Sequence, residues 1–227
     1  MKEGISMKIA LLYAMPKEID SLIHDREPDE IVSGVSFYRL RDNLIACCGG
    51  VGKVNAAMAT QLLIDLDHPD LIINAGVAGC FEEVPIGTFV LVDSFLQHDV
   101  DTTGCGDPIG MVSTVNLVDF PTADLPRAKA AMDKTGYPYQ VGKCATGDWF
   151  AVDGDRAAFI KDTYHPFVTE MEGGAAAQVC YRNGVPFMAI KSVSDCLNDN
   201  QNYYLDWPKA MEHLNDVVMA FVNALEE

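Results

Sequence analysis

Acidic side chains stand directly after three apolar, β-branched runs of this 227-residue chain. Glu18 follows the first run, Glu172 the run 167–171, and Asp195 the run 186–193. Ligands of open α/β sheets bind beyond the carboxyl ends of the strands, so these acids are candidates for one site. Carboxyl groups in different protonation states can act as general base and general acid. Each acid alone also fits a structural role, because first-turn acids favour helix starts and strand-end acids cap turns.

The elements that would position these acids are short strands alternating with helical patterns. The predicted strands are 8–14, 44–48, 70–75, 88–97, 167–171 and 186–193, and the predicted helices are 53–66, 173–182 and 207–225. Such alternation predicts an α/β fold in which helices pack on the faces of a sheet of parallel strands. The stretch 99–121, rich in Gly, Thr and Asp, is long enough to be a functional loop.

Composition narrows the class of protein. A length of 227 residues with 49% hydrophobic residues fits one domain over 1–227, with residues 1–6 as an N-terminal extension. A net charge of -17 repels nucleic acid and anionic lipid, so neither is an expected partner. The seven cysteines lack a CxxC pair, and the N-terminal apolar run is too short to span a membrane. A cytoplasmic location is the expectation.

Common cofactor and metal signatures are missing from the chain. Its glycine clusters, at 49–52 and 76–79, match neither GxGxxG nor a Walker A loop and alone would indicate tight turns. His98-Asp99 has no second histidine nearby, and there is no HExxH, Cys-His or GxSxG pattern. We therefore expect neither a metal nor a cofactor.

Ordered motifs run from Met7 almost to the end of the chain. They are MKIALLYAMPKE (7–18), GGVGKV (49–54), DLIINAGVAG (70–79), GTFVLVDSFLQHDVD (87–101), TGDWF (146–150), VTEME (168–172) and VPFMAIKSVSD (185–195). The set resembles the methylthioadenosine/S-adenosylhomocysteine nucleosidases of the purine nucleoside phosphorylase superfamily. That resemblance implies a three-layer α/β/α sandwich around a mixed, twisted sheet. It also implies a homodimer, a small purine nucleoside as substrate and a role in methionine salvage.

The resemblance also implies roles for individual residues. Cleavage of an N-glycosidic bond puts positive charge on the ribose and negative charge on the departing purine, which calls for a base and an acid. By resemblance, Glu18 activates water and Asp195 protonates purine N7. Glu172 would accept the ribose hydroxyls, with Met171 beneath the sugar and Phe150 stacked on the purine. The other residues implied to bind substrate are Val51, Gly76, Val77, Ala151 (through its backbone), Lys191 and Ser194.

Hydrolysis is favoured over phosphorolysis, because phosphorylases of this superfamily bind phosphate with arginines and no arginine pair is evident here. Two positions depart from the usual nucleosidase pattern, however. Val77 replaces a serine that helps to hold the water, and Lys191 replaces an arginine, so that Lys191 would hold Glu18 and the water with poorer geometry. The loop 102–111 lacks the aromatic residues that often cover the 5′-alkylthio group, which leaves Val51, Ile109 or Met111 as apolar partners.

Two alternatives stay open at this stage. One is a phosphorylase or nucleosidase that acts on another purine nucleoside. The other is a purine-binding protein without catalytic activity, which Val77 and Lys191 would allow if they had disabled water capture. Three acids facing a ligand are costly to desolvate in a protein that only binds, which favours the enzyme.

Overall fold

The computed structural model describes residues 7–152, 154–197 and 205–227. Its strands are β1 Ile9–Tyr13, β2 Glu30–Val32, β3 Val35–Arg41, β4 Leu44–Cys48, β5 Leu71–Cys80, β6 Phe89–Gln97, β7 Phe120–Pro121, β8 Tyr139–Thr146, β9 Val168–Glu170 and β10 Phe187–Cys196. Its α-helices are α1 Pro16–Ile23, α2 Lys53–Asp67, α3 Leu125–Thr135, α4 Asp155–Tyr164, α5 Gly173–Asn183, α6 Trp207–Met211 and α7 Leu214–Glu226. The expected N-terminal extension, 1–6, lies outside the described residues.

All strands belong to one mixed sheet with the order β10-β6-β8-β9-β5-β1-β4-β3-β2, in which β7 pairs with β6. β10 also pairs with β5, so that β5, β10, β6, β8 and β9 close into a circuit. The strands β1, β4, β5 and β10 run parallel. Their carboxyl ends therefore meet at one edge of the sheet, where a site is expected.

Helices cover both faces of this sheet. Along β1, Ile9, Leu11 and Tyr13 enter one hydrophobic cluster, which α3 and α7 cover, while Ala10 and Leu12 enter a second cluster beneath α2 and α5. A strand that buries both faces is apolar throughout, which explains the unbroken run IALLY. The predicted α/β/α architecture with a mixed sheet is confirmed. No helix among the described residues is long and apolar enough to cross a membrane.

The structure corrects several predicted elements. The predicted strands 70–75 and 186–193 continue to Cys80 and Cys196, and the predicted helix 207–225 is two helices that break between Met211 and Leu214. Asp195 therefore lies inside β10 rather than after it, next to a shift of register between Val193 and Asp195. A β-bulge of this kind re-aims a side chain at the end of a strand.

The stretch 99–121 is mostly irregular, as expected for a loop. It contains a 3-10 turn at Thr103–Cys105, a bridge between Val112 and Leu117, and the short β7. Ile109 packs against a third hydrophobic cluster with Tyr164 rather than against the three acids.

Candidate active site

A cleft of about 680 Å³, counted with its open mouth, lies where β1, β5, β9 and β10 end. The three predicted acids, Glu18, Glu172 and Asp195, all line it and are 3%, 8% and 3% exposed. Other predicted residues that line it are Val51, Val77, Phe150, Ala151, Met171 and Ser194. Gly76 and Lys191, also predicted, are not among its lining residues.

Glu18 is held by backbone N–H groups. It is the third residue of α1, which starts at Pro16, where a proline fits because the first N–H needs no partner. Oε2 accepts the N–H groups of Ala14 and Met15 at 3.1 and 2.9 Å, and Oε1 accepts that of Val77 at 2.9 Å. Burial raises the pKa of Glu18 and outweighs the opposite effects of these donors and of the Lys191 charge.

Gly76 explains how Glu18 can lie against β5. A methyl group at Gly76 would be 2.5 Å from Glu18 Oε1, closer than any ordinary contact. The close approach of the carboxylate therefore favours glycine at this position. The sequence had placed Gly76 among the substrate-binding residues, whereas the structure gives it a contact with Glu18 and no place on the cleft lining.

Asp195 lies opposite Gly79 in the β10–β5 register. Its Oδ1 accepts a hydrogen bond from Ser194 Oγ at 2.6 Å, and a methyl group at Gly79 would be 3.0 Å from its Oδ2. Ser194 Oγ also lies 3.2 Å from the carbonyl oxygen of Ala78. The carboxyl group is thus fixed by the strand end and by its neighbour.

Glu172 is the N-cap residue of α5 and reaches across the cleft to the glycine turn 49–52. Its Oε1 accepts the N–H of Gly52 at 2.8 Å. Gly52 has φ = 97°, a left-handed conformation that suits glycine. Burial above all, and then the charge of Glu170, raise the pKa of Glu172 to about 7.

Lys191 is 1% exposed and forms an ion pair with Glu170, with Nζ 2.9 Å from Oε2. Its hydrogen-bond acceptor is thus Glu170 and not Glu18, where the sequence had placed it. Burial lowers the pKa of Lys191, but the Glu170 carboxylate outweighs burial, so that the pKa is raised and Lys191 stays charged.

Apolar side chains form much of the remaining wall of the cleft. Phe150 is 49% exposed and lines the cleft with its ring. Met171 lies between Glu170 and Glu172 in the sequence and lines the same cleft. Met15, Trp149 and Trp207 also line it.

Three loops are tied together beside the cleft by Lys53. Its backbone N–H donates to Asp148 Oδ1 at 2.8 Å, and its ammonium lies 2.6 Å from Asp99 Oδ1. Asp99 Oδ2 in turn accepts the N–H of Asp148 at 2.9 Å. Asp148 and Asp99 thus have structural partners, and His98 packs edge-on against Trp149 with ring centroids 6.2 Å apart.

Sequence reasoning missed Glu170, Met15 and Trp207 as residues of the cleft. Glu170 stands two residues before Glu172, and alternation along a strand would have aimed both at one region. Met15 adjoins the first-turn acid already singled out. Trp207 had no sequence signal beyond its place at a helix start. The contact that brings α6 to β10 is a hydrogen bond from the Asp206 N–H to the Ser194 carbonyl, and these residues are 12 apart in the chain.

Comparison with known proteins places this arrangement in a family. The family model of the phosphorylase superfamily matches residues 8–225. A 5′-methylthioadenosine/S-adenosylhomocysteine nucleosidase of Shewanella halifaxensis is 35% identical, over 96% of this chain and 100% of the relative. The nucleosidase of the same name from Geobacillus thermodenitrificans is 33% identical, over 97% and 98%.

Solved structures agree with these relatives. The nucleosidase of Colwellia psychrerythraea in complex with adenine superposes with a TM-score of 0.86 at 29% identity, covering 97% of this chain and 96% of the other. The nucleosidase of S. pneumoniae with the transition-state inhibitor MT-ImmA has a TM-score of 0.83 at 27% identity, covering 96% and 100%. This chain belongs to the phosphorylase superfamily and, within it, to the family of the 5′-methylthioadenosine/S-adenosylhomocysteine nucleosidases.

Proposed function

We propose that this chain hydrolyses the N-glycosidic bond of 5′-methylthioadenosine and S-adenosylhomocysteine, releasing adenine and the 5′-thioribose. The observation that carries the proposal is the convergence of Glu18, Glu172 and Asp195 on one buried cleft. Relatives that match 96% and 97% of the chain and are named for these two substrates support it.

Asp195 is the proposed acid. The departing purine gains electron density as the bond to C1′ breaks, and a proton delivered to N7 makes it a neutral leaving group. The Ser194 hydrogen bond and the burial of Asp195 support a fixed carboxyl group in a largely dry site. Phe150 would stack on the purine, and the Ala151 backbone would hydrogen-bond its edge.

Glu18 is the proposed base. As water bonds to C1′, Glu18 takes one of its protons, so that the proton gained there balances the one that Asp195 gives to the purine. Its three N–H donors fix the carboxylate without neutralising it. The base must be ionised, and its raised pKa makes it a stronger base once it is.

Glu172 is the proposed partner of the ribose hydroxyls, above Met171. Its negative charge would stabilise the positive charge that develops on the ribose in the transition state. A pKa of about 7 means that the ionised form, which accepts both hydroxyls, prevails only above neutral pH.

Water is a better match than phosphate for the nucleophile. No lysine or arginine is among the described residues that line the cleft. Lys191 is already paired with Glu170, and the charge of Glu18 repels an anion. These observations favour hydrolysis over phosphorolysis.

The 5′ side and the assembly are further parts of the proposal. Val51, Met15 and Trp207 supply apolar surface for an alkylthio group. Val54 and Met58 lie on α2, close to Val51, and are 79% and 36% exposed. A second subunit packed on α2 would shield these apolar side chains from water, which supports a homodimer. A cytoplasmic location, catalysis without a cofactor, and a role in methionine salvage stay predictions.

A substrate panel tests the proposed function. Purified protein is incubated with methylthioadenosine, S-adenosylhomocysteine, adenosine and inosine, each with and without phosphate, and base release is followed. We expect each of the two thio-nucleosides to release adenine at the same rate with and without phosphate. Strict dependence on phosphate would select a phosphorylase, and tight binding without release would select a binding protein. Ultracentrifugation of the same sample tests the dimer.

A further inference from the structure

A buried ion pair lies beside Glu172 and acts electrostatically on Glu18. Lys191 in β10 and Glu170 at the end of β9 have side chains that are only 2% and 3% exposed, and Nζ lies 2.9 Å from Oε2. Neither group has a role in the proton transfers proposed above. Burying two opposite charges costs free energy of desolvation, so an ion pair at this position points to a role beyond stability.

Glu170 holds more than the ammonium. Its Oε2 also accepts the N–H groups of Glu172 and Gly173 at 3.1 and 2.7 Å. Its Oε1 accepts from Thr146 Oγ1, which in turn accepts the N–H of Gly174 at 2.7 Å. Glu170 therefore anchors the first turn of α5, and with it the backbone from which the Glu172 side chain extends.

The charges around this pair act on both neighbouring acids. Glu170, Glu172, Glu18 and the buried thiol of Cys144 are the titratable groups that face Lys191 or one another here. Lys191 acts to lower the pKa of Glu18 and of Glu172, whereas Glu170 acts to raise that of Glu172. The carboxylate of Glu170 thus holds the ammonium and opposes its effect on Glu172.

We propose that Glu170 is a positioning residue for the reaction: it fixes the backbone of Glu172 and, by pairing with Lys191, keeps the buried ammonium off Glu18. This inference rests on the proposed function for its consequence in catalysis. Glu18 is thereby left free to take a proton from water instead of being bound in an ion pair, and Glu172 keeps its place at the ribose.

Removing the charge of either partner should therefore shift the titration of Glu172, in opposite directions for the two partners. Glu170→Gln keeps an oxygen for the backbone donors but removes the negative charge, so Glu172 should titrate at lower pH. Lys191→Met removes the positive charge, so Glu172 should titrate at higher pH. We expect each shift to be about half a pH unit or more, in opposite directions. Lys191→Arg keeps the charge and should titrate like the parent. A role in backbone capping alone would not produce this pattern.

The experiment uses the full chain labelled with ¹³C at glutamate carboxyl groups. The Glu172 signal is assigned by its loss in Glu172→Gln and followed by NMR against pH in the parent and the three variants. Adenine release gives kcat and KM on the same samples. Glu82→Gln is the matched control, since it removes an exposed carboxylate outside the cleft. Glu170→Gln should reduce kcat/KM about tenfold or more, with KM raised, and the control should leave it unchanged.

The outcomes separate this inference from the proposed function. Opposite NMR shifts with reduced kcat/KM support it, and a folded Glu170→Gln with an unmoved Glu172 titration or parental kcat/KM overturns it. If Glu170→Gln does not fold, Lys191→Met carries the same test through its upward shift. A parent protein that cleaves no nucleoside refutes the proposed function and with it the catalytic role, while the NMR shifts still report whether Glu170 and Lys191 govern Glu172.

Discussion

Replacement of Gly76 by alanine should displace the proposed base, Glu18, without changing the Glu18 side chain itself. The added methyl group would lie 2.5 Å from Glu18 Oε1, whereas ordinary contacts begin near 3.4 Å. Gly76 pairs with Lys191 in the β10–β5 ladder, so the flexible end of the Glu18 side chain is the part that moves, by roughly 0.9 Å on these distances. A displacement of about 1 Å of a reacting group can cost about a hundredfold in rate. We therefore expect kcat/KM of Gly76→Ala to fall about a hundredfold, with overpacking costing about 1–3 kcal/mol of stability.

Continuous adenine release and urea denaturation measure the two effects. Gly104→Ala is the matched control, because no atom lies within 4 Å of the position that its methyl group would take and its φ is not in the left-handed region. The control should keep parental kcat/KM. A folded Gly76→Ala with kcat/KM within twofold of the parent would refute the placement of Glu18 as the base.

Three further predictions concern Glu172, Tyr13 and Val77. First, kcat/KM should fall as the pH drops through about 7, because the ionised form of Glu172 is required and its pKa is raised to about 7; a pH profile that stays flat down to pH 5 contradicts this. Second, Tyr13→Phe should lower the free energy of unfolding by about 1–3 kcal/mol, because Tyr13 donates a hydrogen bond to Asn215 Oδ1 at 2.7 Å in the core and the acceptor would lose its partner. Equilibrium urea unfolding measures this change. A decrease of less than about 0.5 kcal/mol would contradict the prediction. Third, Val77 lines the cleft and its N–H donates to Glu18, so Val77→Ser adds a hydroxyl beside the proposed water. The value of kcat should rise severalfold, as one added hydrogen bond of about 1 kcal/mol allows. An unchanged or lower kcat would show that this water is held in another way.

The parts of the fold that the sequence predicts best are those whose own residues carry a clear periodicity. The strand Leu44–Cys48 has the predicted bounds, and the predicted helix from Lys53 ends one residue later than expected. By contrast, α4 buries only Ala157, Ile160 and Tyr164 along its inner stripe, which is too few apolar residues to stand out. The strand β8, with Gln140 and Lys143 among its residues, is likewise too polar to be recognised without its neighbours.

The candidate site divides in the same way. Glu18, Glu172 and Asp195 could be found because each lies near a strand end within a short motif. The pairing of Lys191 with Glu170 joins residues that are 21 apart in the chain, and Asn215 Nδ2 donates to the Glu18 carbonyl across 197 residues. Such contacts depend on how the helices and strands pack, so no local sequence pattern predicts them.

Single-turnover release of adenine from methylthioadenosine, in buffer without phosphate, tests the central claim most directly. The parent should release adenine, while Glu18→Gln and Asp195→Asn should each be slower by about a hundredfold or more, the usual contribution of a positioned acid or base. Parental rates in either variant, or release that begins only when phosphate is added, would contradict the assignment of a water-activating Glu18 and a proton-donating Asp195.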